Sequence, residues 1–204
     1  MSEKPNDATA FVDVDTQHDF MAPSGVLYVK DARTIAGKVR RLVAHAAEHG
    51  IRLFSTTDAH TPDDPEMKSF GPHCMVGTPG QKKIRGTLLP DRAVVAVEPR
   101  LSPEQIQDAL RHQQLIIEKR AYDPFTNPNT EAVVRASGAR HFVVFGVATD
   151  YCVRAAALGL ARLGYGVTVV EDAIKGIDPE ATQRTLDEFR QAGARFTTTD
   201  EITG

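Results

Sequence analysis

Residues 141–147 read HFVVFGV and residues 148–152 continue ATDYC. The first seven are apolar and rich in β-branched and aromatic side chains, the mark of a strand buried on both faces of a parallel sheet. Thr149 or Asp150 is suited to cap a helix behind it. Val153, Ala156, Ala157 and Leu160 then recur at helical spacing, and Gly164 is placed to end the helix. A buried strand that runs straight into an amphipathic helix is the core of a βαβ unit.

The same alternation extends in both directions. Ala10–Val14 reads as a first strand, and Ile35, Val39, Leu42, Val43 and Ala46 predict a helix over Asp31–His49 that Gly50 closes. Ile51–Thr57 reads as the second strand, Val94–Val97 as a short extra one and Leu115–Ile117 as another buried one. Between these last two, Ser102, Pro103 and Gln105 combine an N-cap, a proline at the first helical position and a capping-box glutamine, so a helix runs through Ala109 and Leu110. Asn127-Pro128 opens a helix that Gly138 closes, Gly166–Val170 is strand, and Asp178-Pro179 starts a last helix. The fold class is therefore α/β: an open, doubly wound, mostly parallel sheet with helices on both faces. One domain spans residues 1–204, with 1–8 as a flexible tail.

Composition bounds the function. The chain has 204 residues, 41% of them hydrophobic, and a formal net charge of -3. Charges of both signs are mixed along it, with no basic stripe for a nucleic-acid backbone. No apolar run approaches the roughly 18 residues of a membrane span, and the polar N-terminus lacks the apolar centre of a signal peptide. Neither nucleic acid nor membrane is an expected partner. The expected location is cytoplasmic, where Cys74 and Cys152 stay as free thiols.

In open parallel sheets ligands bind beyond the carboxyl ends of the strands. Asp15 follows the first strand, Asp58 and His60 the second, Lys119 a third, and Thr149 to Cys152 a fourth. Cys152 falls in the first turn of its helix, where backbone N–H groups favour a thiolate. Asp15 and Lys119 can supply the charges that a thiolate attacking a carbonyl needs. Singly, each of these residues is more commonly a loop acid, a solvated lysine or a buried small hydrophobe; only their joint placement points to chemistry.

Asp58 and His60, two apart at a strand end, can turn to one side and meet the later His73, a set suited to an open divalent-metal site. Glu66 can add a further oxygen. Such a donor set accepts zinc, manganese or iron. All these residues lie in or beside the long segment from Asp58 to about Gly86, rich in Pro, Gly, Asp and His, whose length marks a functional loop.

Four segments also carry a resemblance. Val14-Asp15-Thr16-Gln17-His18-Asp19-Phe20 resembles the Asp-x-Gln-x-Asp-Phe opening of nicotinamidases and related isochorismatase-like cysteine hydrolases. Asp58-Ala59-His60 resembles the family's Asp-x-His. Pro72 to Gly80, PHCMVGTPG, is similar to its Pro-x-His-Cys-x-x-Gly-Thr-x-Gly string, and Gly146 to Val153 to its nucleophile segment. The likeness runs from about Phe11 to Asp172.

That resemblance implies Asp15, Lys119 and Cys152 as catalytic triad and Asp58, His60 and His73 as metal ligands, with Glu66 as an extra ligand of some members. It implies a cis peptide between Val147 and Ala148, an oxyanion hole made by the N–H groups of Ala148 and Cys152, and Phe20 and Phe70 as aromatics that hold the substrate ring. It further implies a small-molecule amide substrate, nicotinamide first, with one divalent metal ion, zinc before manganese or iron, and a homo-oligomer. Two departures stand out: Arg120 occupies a position that is commonly glycine, and Phe125-Thr126-Asn127 stands where a Tyr-Ser pattern is usual. Another small-amide or carbamoyl hydrolase of the family is the alternative, and a non-catalytic binding protein a second. Isochorismatases proper lack the nucleophilic cysteine.

Overall fold

The computed structural model describes residues 9–204; the tail expected over residues 1–8 lies outside them. Among the described residues seven strands form one parallel sheet: β1 (Thr9–Val14), β2 (Arg52–Asp58), β3 (Arg92–Val95), β4 (Gln114–Lys119), β5 (His141–Val147), β6 (Gly166–Lys175) and β7 (Arg195–Thr197). Their order across the sheet is β3-β4-β2-β1-β5-β6-β7, and each neighbouring pair is parallel. The helices are α1 (His18–Met21), α2 (Ala32–Glu48), α3 (Met67–Phe70), α4 (Pro103–Ala109), α5 (Thr130–Ala136), α6 (Arg154–Arg162), α7 (Pro179–Gln191) and α8 (Thr199–Thr203).

Side-chain alternation along the strands divides the core into two layers. Ala10, Val12, Val14, Phe142 and Val144 face one way and pack with Ile106 of α4, Val133 and Val134 of α5, Ala156 and Leu160 of α6 and Phe189 of α7. Phe11, Leu53, Val143, Phe145 and Val147 face the other way, against Ile35, Val39, Leu42 and Val43 of α2. Helices cover both faces, so the doubly wound α/β architecture is as the periodicity predicts.

The order in which strands are added reverses at β1, which lies between β2 and β5, and the crevice at that switch is where the four chemistry-bearing strand ends converge. Gly146 sits opposite Val14 in the register. Its φ is +121°, and a Cβ there would meet the Val14 carbonyl oxygen at 2.1 Å. Only glycine lets β1 and β5 approach so closely just before Asp15 and Cys152.

Local signals set most boundaries. Ser102 accepts from the Gln105 N–H while the Gln105 side chain accepts from the Ser102 N–H. Asp178 caps α7 through the Ala181 N–H. Other expectations need correction. The turn behind β5 is π-helical over Thr149–Val153, and its N-cap is Ala148, with no side-chain cap. Asp150 instead accepts from the N–H groups of Ile177 and Asp178, tying the turn to the start of α7. β6 continues to Lys175, past the expected Val170, and β3 starts two residues before Val94. α1, α3, β7 and α8 are too short to show a period in the sequence.

Candidate active site

Asp15 leaves the end of β1 with φ +46°, in the left-handed region that β-type chain rarely enters. The turn is over-determined: the Asp15 N–H donates to the Thr56 carbonyl at 3.2 Å, and the Thr56 hydroxyl donates to Asp15 Oδ1 at 2.7 Å. The other carboxylate oxygen faces Lys119 Nζ at 2.8 Å. Lys119, at the end of β4, also bonds Asp58 Oδ1, its register partner at the end of β2, and lies 3.8 Å from Cys152 Sγ. The Lys119 ammonium therefore lies between the Asp15 carboxylate and the Cys152 sulfur. Three residues from three strand ends thus meet around one sulfur.

Burial governs their charges. It raises the Asp15 carboxyl, against the opposing pull of Lys119. It works against the Lys119 ammonium too, but Asp15 and Asp58 outweigh it and hold the lysine charged. The Cys152 thiol stands well above its ordinary range, because burial outweighs the help that Lys119 gives a thiolate. Burial thus opposes the thiolate that a helix start favours, while Lys119 supports it.

A second cluster adjoins the first. Oxygen or nitrogen atoms of Asp58, His60 and His73 lie within 4.8 Å of one another, all three side chains buried. His60 Nδ1 pairs with Asp64 Oδ2 at 3.1 Å and His73 Nδ1 with the Gly71 carbonyl at 2.8 Å. Each imidazole is therefore anchored by one nitrogen and offers Nε2 inward, the outer-shell arrangement of metal-ligating histidines. His60 Nε2 is fully buried with no hydrogen-bond partner, 3.6 Å from Asp58 Oδ2 and 3.5 Å from Glu66 Oε2. An orphaned ring nitrogen among carboxylates fits a divalent cation. Burial opposes protonation of His60, yet Asp58, Asp64 and Glu66 raise its affinity for a proton above the ordinary value.

Both clusters open on a cavity lined by Phe20, Phe70, His73, Tyr122, Ala148, Tyr151 and Cys152, among others. Phe20 and Phe70 lie 5.6 and 6.3 Å from the His73 ring. The Val147–Ala148 peptide is cis. Every site residue read from the sequence is thus on or beside this cavity. Thr56, Asp64, Tyr122 and Tyr151 are additions. Asp64 has a spacing signal, four residues beyond His60; Tyr151 lies one residue before Cys152, inside the ATDYC run.

Neither sequence departure disturbs the site. Arg120 is exposed while Lys119 is fully buried with its ammonium at the triad. Phe125 packs over Gly159 and lines a separate apolar cavity with Val12 and Phe54. Asn127 spends its amide on the carbonyls of Val95, Ala96 and Glu118. That segment builds the core on the far side, and Tyr122 supplies the pocket wall.

A model of the isochorismatase domain matches residues 9–201. The chain belongs to the isochorismatase family. This isochorismatase-family hydrolase is 27% identical to the nicotinamidase/pyrazinamidase of Mycobacterium tuberculosis over 92% of the chain and 97% of that protein. Among solved structures, the pyrazinamidase of Pyrococcus horikoshii in complex with zinc has a TM-score of 0.77 at 29% identity, covering 94% of this chain and 99% of that one. The N-carbamoylsarcosine amidase of Thermoplasma acidophilum has a TM-score of 0.75 at 30% identity, covering 96% and 99%. No helix of the described residues is long and apolar enough to cross a membrane.

Proposed function

We propose that this isochorismatase-family hydrolase is a nicotinamidase, converting nicotinamide to nicotinate and ammonia through a Cys152 thioester. The observation that carries the substrate choice is the wall of the cavity. It has four aromatic side chains, Asp58 and Glu66 as its acids, and no arginine or lysine among the residues that line it. A carbamoyl amino acid, the kind of substrate in the name of the Thermoplasma relative, carries a carboxylate, for which this wall supplies no side-chain cation. A neutral aromatic carboxamide needs none, and stacks on such walls.

In this reading Asp15 accepts the thiol proton while Cys152 Sγ bonds to the carboxamide carbon. The carbonyl electrons move to oxygen, where the N–H groups of Ala148 and Cys152 receive the negative charge. Asp15 returns its proton to the leaving nitrogen, the C–N bond breaks and ammonia departs. Water then gives a proton to Asp15 and its oxygen attacks the thioester; the C–S bond breaks, the sulfur recovers the proton, and the acid is released. Lys119 keeps Asp15 oriented and screens the sulfur's developing charge. Asp58, His60 and His73 hold one divalent metal ion, zinc with manganese or iron as alternatives. Bound there, the ion supplies a Lewis-acid position for a ring nitrogen. Phe20, Phe70 and Tyr151 confine the ring.

The test is a comparison of kcat/KM for nicotinamide and N-carbamoylsarcosine with zinc-loaded protein. Preference for nicotinamide supports the assignment. Preference for the carbamoyl acid replaces it with the carbamoyl-hydrolase reading, and binding of either without turnover of any amide points to a non-catalytic protein.

A further inference from the structure

Glu66 faces two ways. Its Oε2 lies 3.5 Å from the orphaned His60 Nε2, at the cluster of Asp58, His60 and His73. Its Oε1 accepts a 2.6 Å hydrogen bond from the backbone N–H of Tyr122, on the segment behind β4. Tyr122 is 45% exposed at the cavity rim, and its ring packs edge-on against Tyr151 at 6.2 Å. Tyr151 in turn packs against Phe70 at 5.5 Å. Phe70 ends the short α3 whose N-cap is Glu66, and its N–H donates to the Glu66 carbonyl at 2.9 Å. One carboxylate therefore joins the cation cluster to the outer wall of the pocket through a single hydrogen bond, while the aromatic chain returns to the same helix.

We infer that Glu66 is a positioning residue that couples cation occupancy to closure of the Tyr122 wall. The inference rests on the metal site proposed above. A dication beside His60 Nε2 attracts the Glu66 carboxylate, and any shift of that carboxylate carries the Tyr122 N–H with it, since a charge-assisted bond this short holds its donor closely. The wall then tightens over the ring-binding space when the cation is present. Because coupling of this kind is reciprocal, an aromatic amide seated against Tyr122 also strengthens cation binding. Whether Oε2 ligates the cation or only faces it, the Oε1 bond predicts that the rim moves with the carboxylate.

The chain has no tryptophan, so Tyr122→Trp places a sole indole on the rim. Metal-stripped Tyr122→Trp protein is titrated with zinc while bound zinc is counted in parallel by equilibrium dialysis. The coupling predicts a blue shift and gain of emission that saturate together with one bound zinc. In Tyr122→Trp/Glu66→Gln, zinc still binds through Asp58, His60 and His73, about 10-fold more weakly, and the emission change is lost. Zinc binding with unchanged emission in the single variant overturns the coupling, as does an undiminished response in the double variant. Failure of any zinc to bind is a separate result: it removes the metal site and the coupling with it.

Discussion

Asp15 and Asp58 hold the same ammonium group between them. Lys119 Nζ is 2.8 Å from Asp15 Oδ2 and bonds Asp58 Oδ1 as well, with all three side chains at or near zero exposure. The lysine therefore belongs to both halves of the site, the sulfur chemistry on one side and the histidine cluster on the other. This cation pulls both carboxyls down against the burial that raises them, more successfully at Asp58 than at Asp15.

Removing that cation leaves two uncompensated buried charges. Lys119→Met is expected to destabilise the fold by about 3–5 kcal/mol and to abolish activity, measured by denaturant unfolding and by ammonia release. A stable, active Lys119→Met protein contradicts the shared-ammonium account.

The two cysteines differ in access and surroundings. Burial raises both thiols above their ordinary range, but Cys74 has zero exposure whereas Cys152 lines the cavity beside Lys119. Iodoacetamide at neutral pH is expected to label Cys152 first, with Cys74 reacting only on unfolding, as peptide mass mapping will show. Equal labelling of both in the native protein counts against a reactive Cys152.

His60 depends on Asp64 for its orientation, through Nδ1 at 3.1 Å. Asp64 also accepts from the Thr61 N–H at 2.8 Å, so Asp64→Asn keeps the shape of the turn while removing the charge. The expected result is a 10- to 100-fold loss of zinc affinity by equilibrium dialysis, with the fold intact by circular dichroism. Unchanged affinity would show that His60 is held by other contacts.

Far from the site, Asp172 joins three elements: it accepts from the Thr199 N–H and hydroxyl at the start of α8 and pairs with Lys38 of α2 at 2.9 Å. Burial raises its carboxyl, but Lys38 and Thr199 outweigh this and leave it below the ordinary range. A depressed acid contributes stability that is complete above its unfolded value near 4 and is lost as pH falls through the lower folded value. Asp172→Asn is expected to cost about 1 kcal/mol at pH 7, with half-exposed Lys38 contributing little, and to flatten the loss of stability below pH 4. Urea midpoints between pH 3 and 7 test this.

Much of this architecture is legible in the residues because strand and helix periods differ. Val12 and Val14 alternate with Phe11 along β1, while Ile35, Val39, Leu42 and Val43 repeat by three and four along α2, so both layers of the core announce themselves. The strand-end residues Asp15, Asp58, Lys119 and Cys152 are equally legible once the strands are placed. What stays hidden depends on contacts between distant segments. Tyr122 enters the wall because Glu66, 56 residues earlier, accepts its N–H, and Thr56 fixes Asp15 across 41 residues. Cys152 shows the limit most clearly: a helix start suggests an acidic thiol, but the burial that raises it is a property of the assembled core. α8 and β7 have three to five residues each, too few for a period to appear.

The measurement that bears most directly on the central claim is ammonia release from nicotinamide by zinc-loaded protein, with Cys152→Ala run beside it under the same conditions. The account predicts multiple turnovers by the native protein and none above background by the variant. Folded, zinc-bound protein that releases no ammonia, or a Cys152→Ala variant as active as the native protein, would contradict it.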